Sequence, residues 1–311
     1  MTQTPDLDRM RDALSTSTLS HGLKLIGDRW TVQVLMGAFT GTQRFDDFTE
    51  KLGIPRRTLS DRLQALVQMD LMRPRLYQER PDRYEYRLTR KGMAIYGAVL
   101  MVWDWERRFG EPGTALPARL VHKTCGHAFQ PDLTCEACGE TVTMRDLDLV
   151  LRPNPRLPHD AGEPQRVPKL TASDAATTSL ALRLDRWSLM IVAAVILGCR
   201  YFDQLGHVLR MRPALLARRL AAMVEAGLLS VQPDRQDGRR RVYLLTAASR
   251  ALFAYLVLLS TWAGEHHFRE PSSIRPRHRA CGKPFVPRVT CSHCHAFLNA
   301  WDVRFETGEA A

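Results

Sequence analysis

Ile54-Pro55-Arg56-Arg57-Thr58-Leu59-Ser60-Asp61-Arg62-Leu63-Gln64-Ala65-Leu66 is the stretch on which the fold turns. Proline suits the first turn of a helix, where its missing N–H would have no partner anyway. Leu59, Leu63 and Leu66 stand at i, i+4 and i+7 and make one apolar stripe. Opposite lie Arg57, Asp61 and Gln64, flanked by Thr58 and Ser60, with Arg56 and Arg62 beyond. Taken alone, that polar side is an ordinary solvated helix face, and its surroundings decide otherwise.

Upstream, apolar Leu25, Ile26, Val32, Leu35 and Met36 predict a helix over Leu23 to Phe39. A short helix from Phe45 to Lys51 follows, and Gly53 supplies the turn into the quoted stretch. Downstream, a strand near Met72–Tyr77 and its return at Tyr84–Leu88 flank a loop around Arg80-Pro81-Asp82-Arg83. Thr89 is placed to cap a long helix from Arg90 to about Phe109. Three helices, a β-hairpin and a final helix make a winged helix-turn-helix.

The unit occurs twice. Asp28-Arg29-Trp30 returns as Asp185-Arg186-Trp187, Phe45-Asp46 as Phe202-Asp203, Arg62-Leu63 as Arg219-Leu220, and Tyr86 and Thr89 as Tyr243 and Thr246, all at a shift of 157. Later the shift becomes 156, so that Cys125, Cys135 and Cys138 answer to Cys281, Cys291 and Cys294. Such constancy over more than a hundred residues marks a tandem duplication. The second copy predicts helices at Phe202–Val208 and Arg212–Ala226, a hairpin about Asp237-Gly238 and a helix after Thr246. The fold class expected is mainly α with small β wings: two winged helix-turn-helix domains, each followed by a zinc-ribbon-like β segment. The expected divisions are 1–118 and 174–272 for the winged domains, 119–151 and 273–305 for the ribbons, and 152–173 for a stiff, exposed, proline-rich linker.

The order of elements, with Asp-Arg-Trp opening the first long helix, resembles the HxlR-type winged helix-turn-helix transcriptional regulators. The resemblance rests on Arg44-Phe45, Gly53-Ile54, Leu59-Ser60-x-Arg62-Leu63 and Tyr84-Glu85-Tyr86-x-Leu88-Thr89-x-x-Gly92. It covers residues 17–110 closely and 175–265 more loosely. It implies sequence-specific binding to duplex DNA, by a two-fold dimer built on N- and C-terminal helices, and no enzymatic activity. Some relatives sense electrophiles through an N-terminal cysteine; this chain has none before Cys125.

Composition agrees. Across 311 residues, 44 Lys and Arg against 33 Asp and Glu give a net charge of +11, which points towards a polyanion. A 45% apolar fraction excludes wholesale disorder. No apolar run reaches the roughly 18 residues of a membrane span; Trp187–Cys199 and Ala251–Ala263 come nearest. The acidic, polar start is unlike a secretion signal, so a cytoplasmic location is expected.

In the major groove, Arg suits guanine, Gln suits adenine and short hydroxyls suit several base edges. The expected DNA contacts in repeat one are therefore Arg56, Arg57, Thr58, Ser60, Asp61, Arg62 and Gln64, with Arg80 and Arg83 from the hairpin. In repeat two the same helical face presents Ala214, Arg218 and Ala221 beside Leu215 and Ala217, while Arg210 replaces the turn glycine. Its hairpin is richer in charge, so Arg212, Arg218, Arg219, Arg235, Arg239, Arg240 and Arg241 are expected to grip phosphates. Repeat one would then read bases while repeat two grips backbone or dimerises. The competing reading is a protein-interaction module that docks on the transcription machinery with weak DNA affinity. An enzyme is disfavoured, because no phosphate-cradling glycine loop or nucleophile elbow is present.

Six of seven cysteines sit in two matching frames. His122-x-x-Cys125, nine residues and Cys135-x-x-Cys138 are repeated by His278-x-x-Cys281, nine residues and Cys291-x-x-Cys294. Paired knuckles of this kind complete a tetrahedral, structural zinc site, so one zinc per repeat is expected. His127, and His293 or His295, are alternative fourth ligands. Three cysteines per frame would leave one unpaired, which argues against disulfides. Cys199, within an apolar run, reads as a buried inert thiol, and Trp103, Trp105, Phe109, Tyr255 and Trp262 as packing or dimer contacts.

Overall fold

A computed structural model describes residues 6–110, 119–160 and 185–306. Helices α1 (Leu7–Ser15) and α2 (Thr18–Ile26) precede α3 (Arg29–Phe39), α4 (Phe45–Leu52) and α5 (Arg56–Gln68). The hairpin β1 (Met72–Gln78) and β2 (Arg83–Leu88) leads to α6 (Arg90–Met93) and α7 (Tyr96–Phe109). Strands β3 (Arg119–His122), β4 (Pro131–Cys135) and β5 (Leu147–Leu151) end the first repeat. The second supplies α8 (Arg186–Ile196), α9 (Phe202–Leu209), α10 (Pro213–Glu225), β6 (Leu229–Pro233) and β7 (Arg241–Leu245). It closes with α11 (Ala247–Ala251), α12 (Phe253–Trp262), β8 (Ile274–His278), β9 (Pro287–Cys291) and β10 (Val303–Glu306).

The chain divides into two compact bodies that do not coincide with the repeats. Body one is Asp28–Thr134 with Arg288–Ala311; body two is Met1–Gly27 and Cys135–Pro287. Each therefore combines chain from both copies.

In body one, α3 packs on α4, α5 and α7. Leu59, Leu63 and Leu66 bury the stripe of α5 alongside Leu35, Phe48, Ile54 and Val102. The hairpin pairs Met72 with Leu88 and Arg75 with Glu85, and the Tyr86 N–H donates to the Gln43 carbonyl at 2.7 Å. That bond fixes the wing to the loop ahead of α4. Strand β3 from repeat one pairs antiparallel with β10 from repeat two, His122 opposite Val303 and Arg119 opposite Glu306.

In body two, α8 is the central helix, with every residue from Arg186 to Val195 buried. Helices α1 and α2 of repeat one pack there on repeat two, α1 against α9 and α2 against α12. A Cβ added to Gly22 would stand 3.1 Å from Ala263 Cβ, so the small residue permits that helix contact. Strand β5 pairs with β8, Leu147 opposite His278.

Three sequence expectations change. The helix expected over Leu23–Phe39 is two helices, broken at Gly27 and restarted by Asp28, whose carboxylate accepts from the N–H groups of Trp30 and Thr31. Body two ends and body one begins at this break. The proline-rich stretch is not wholly exposed: Asn154, Leu157 and Asp160 are buried. The Asp160 carboxylate binds Lys24, Arg186 and Ser20, and its N–H donates to Ser15. Burial pushes that carboxyl up, but these three partners outweigh burial and hold it below the ordinary carboxylate value. The remainder of the expected linker lies outside the described residues. Finally, the helical run Ala247–Phe268 is long and apolar enough by composition to cross a membrane. It is accounted for as a core helix, because Leu252, Phe253, Tyr255, Leu256, Leu259, Trp262 and Ala263 are buried.

Candidate nucleic-acid interface and metal clusters

The polar face of α5 is open. Arg56, Arg57, Ser60, Asp61 and Gln64 are exposed and Thr58 is half-buried. Arg56 pairs with Asp46 at 2.9 Å and lies 4.9 Å over the Phe45 ring, so α4 orients its guanidinium. At the wing, Arg80 and Arg83 are exposed.

Helix α10 follows the same plan with other residues. Ala214, Ala217, Arg218 and Ala221 are exposed, as are Arg212 and the wing residues Arg235, Arg239, Arg240 and Arg241. Arg240 lies 3.9 Å over Tyr201 and pairs with Asp203 at 3.1 Å. The turn survives the loss of glycine: Arg210 takes φ 51°, close to the 59° of Gly53.

Arg219 does not belong among the phosphate contacts. Its side chain is fully buried and pairs with Asp185, the residue that caps α8. Arg62 stands in the same place in body one, 3.2 Å from Asp28 and about one-third exposed. The Asp of each Asp-Arg-Trp motif thus caps a helix and holds the recognition helix through an arginine 34 residues on. Both pairs keep that separation, which is the sequence signal that marks them as structural. Cys199 is buried, and burial pushes its thiol up to about 11, as expected of an inert group. Trp103, Trp105, Tyr255 and Trp262 are buried, consistent with packing.

All eight expected ligands meet in two clusters, but not one cluster per repeat. His122 and Cys125 meet Cys291 and Cys294 in body one; Cys135 and Cys138 meet His278 and Cys281 in body two. Each group takes one knuckle from each copy. The physical reason lies in the strands: β3 pairs with β10 and β5 with β8, so the first knuckle of each repeat is carried to the second knuckle of the other. His122 Nδ1 lies 3.4 Å from Cys125 Sγ and 3.2 Å from Cys294 Sγ. His278 Nδ1 lies 3.4 Å from Cys281 Sγ and 3.3 Å from Cys138 Sγ. Tetrahedral zinc would hold such atoms about 3.5 Å apart, and all four ligand atoms of each set lie within 4.8 Å of one another, so the donor sets suit such an ion. The backbone N–H of Lys283 brings the Cys281 thiol down to about 7, and that of Ala296 likewise lowers Cys294.

The left-handed turn after the last cysteine uses Gly139 at φ 77° in one cluster and His295 at φ 58° in the other. Of the alternative ligands, His127 and His293 both lie beside the body-one cluster, close to Cys125.

The HxlR-like helix-turn-helix family model matches residues 25–114 and 184–271, more than half of the chain and both winged domains. The chain belongs to this family. An uncharacterised helix-turn-helix-type transcriptional regulator of Mycobacterium tuberculosis (strain CDC 1551 / Oshkosh) is 38% identical over 143 residues, covering 43% of this chain and 90% of its own length. The regulator YodB of Bacillus subtilis (strain 168) is 29% identical over 96 residues, covering 30% of this chain and 86% of its own. A solved structure described as a candidate transcription factor of Pseudomonas aeruginosa is 26% identical and covers 50% of this chain and 95% of its own, with a TM-score of 0.30. The chain is a helix-turn-helix transcriptional regulator and not an enzyme, and its family implies DNA binding.

Proposed function

We propose that this regulator reads base sequence with repeat one and holds DNA backbone with repeat two. The contrast between the two recognition helices carries the proposal. Exposed Arg57, Ser60, Asp61 and Gln64 on α5 offer donors and acceptors of several lengths, whereas α10 offers Arg218 among alanines. Arg212, Arg218, Arg235, Arg239, Arg240 and Arg241 suit phosphates, where affinity depends on salt and little on sequence. Arg56 acts at the edge of the reading face, with Arg80 and Arg83 as its wing contacts, while Arg62 holds the helix through Asp28. Selection of DNA by the purified protein tests the reading: enrichment of a defined site, relaxed at one base position in the Arg57→Ala variant and unchanged in Arg240→Ala, is the expected result. Recovery of no preferred sequence contradicts it.

The same proposal gives each cluster one structural zinc, held by His122, Cys125, Cys291 and Cys294 and by Cys135, Cys138, His278 and Cys281. A closed four-ligand set leaves no position for substrate, so the ion supplies folding energy rather than chemistry. We further propose that the fused chain replaces the two-chain dimer usual in the family. The exchange of α1 and α2 into the body built around repeat two supports this, since it is the contact that paired subunits would make through terminal helices. A cytoplasmic location accords with such a role.

A further inference from the structure

The two copies differ by a pair of histidines. At the shift of 156, His127 corresponds to Lys283 and His293 to Ala137. One histidine belongs to each repeat, yet the exchanged pairing delivers both to the body-one cluster and leaves its counterpart with lysine and alanine. There the two imidazoles stack, centroids 3.6 Å apart and planes 10° from parallel. With the Cys125 sulfur, their ligand atoms lie within 4.8 Å of one another.

We propose that Cys125, His127 and His293 form an additional, exchangeable metal site on the surface of body one. It would take a borderline-to-soft divalent ion such as Zn²⁺, Co²⁺ or Cd²⁺. The His127 Nδ1 bonds the Cys125 carbonyl at 2.7 Å. A carbonyl only accepts, so Nδ1 carries the proton and Nε2 keeps its lone pair for a metal. Both imidazoles are exposed and Cys125 is partly so, which lets an ion enter from solvent and lets the rings tilt towards it. Cys125 already belongs to the four-residue cluster with His122, Cys291 and Cys294, and a thiolate has lone pairs enough to bridge two ions. Three protein donors leave a coordination position open, the feature that separates exchangeable sites from closed structural ones. The counterpart cluster lacks both histidines and so carries no such site.

The inference rests on the reading that the two four-ligand clusters hold ions, and the test separates the two claims. Tightly bound metal in the full-length protein is counted by native mass spectrometry, and Co²⁺ is then titrated while the sulfur-to-cobalt charge-transfer band is followed. The expected result is two retained ions and a third, weaker equivalent whose binding shows the sulfur band. The variant His127→Lys with His293→Ala copies the residues of the other cluster. It should keep the two tight ions and lose the third. Absence of a weak equivalent, a weak equivalent without the sulfur band, or one that survives in the variant overturns the additional site. A protein that retains no ion overturns the structural clusters instead, and the additional site then stands or falls on the variant alone. Circular dichroism checks that the variant folds, which surface positions should permit.

Discussion

The two recognition helices occupy equivalent places in equivalent domains, yet differ in what they offer to solvent. In α5 the outward face is chemically varied; in α10 it is nearly bare. The supporting ion pair runs the other way. Arg219 is fully buried against an Asp185 that is 14% exposed, whereas Arg62 and Asp28 stay about one-third exposed. Duplication thus preserved the scaffold in both copies and let the exposed surface diverge.

The largest expected effect tests that scaffold. Arg219→Ala leaves Asp185 without its buried partner and should cost about 3–5 kcal/mol. Arg62→Ala removes a solvated pair and should cost about 0–1 kcal/mol. Urea unfolding midpoints compare them, and equal losses would erase the distinction between the copies. Next comes DNA binding: Arg57→Ala should cost about 1–3 kcal/mol on the preferred site and relax one base position. Arg240→Ala should weaken all sequences alike and flatten the salt dependence. Binding measured on preferred and random duplexes over a salt series distinguishes them, and matching behaviour would defeat the division of roles.

A smaller effect concerns Asp160 and its ion pairs with Lys24 and Arg186. Its folded pKa lies below its ordinary value of 3.8. Its stabilisation is therefore complete above that value and is lost as pH falls through the folded pKa. Asp160→Asn should lower the melting temperature at pH 7, and the gap from the parent should close under strongly acidic conditions. A gap that persists there would show that the charge of Asp160 is not what these contacts depend on. Smallest is His295→Gly: relieving a left-handed non-glycine residue should add about 1 kcal/mol, read as a higher melting temperature with metal bound. No gain would mean that His295 is held by contacts worth its strain.

Much of this was legible in residue order. The stripe Leu59-Leu63-Leu66, the hairpin and the capping threonines identify the winged domain because each is a local property. The eight cysteines and histidines that gather in the two clusters were readable for the same reason, since a two-residue gap is a local turn. Their grouping was not readable. Which knuckle meets which depends on strands more than about 120 residues apart in sequence, and the two matching frames satisfy within-repeat and exchanged pairing equally well. Arg219 misled because an arginine on a recognition helix resembles a phosphate contact until its partner Asp185 is placed beside it. The break at Gly27 escaped periodicity because apolar residues continue across it.

The exchanged grouping is the central claim, and metal counting on two four-residue variants tests it most directly. Alanine at His122, Cys125, Cys291 and Cys294 should abolish one cluster and leave the other, so one tightly held ion should remain per chain. Alanine at His122, Cys125, Cys135 and Cys138 should remove half of both clusters and leave none. If ligands instead grouped within each repeat, the outcomes would reverse: the first variant would hold no ion and the second would keep one.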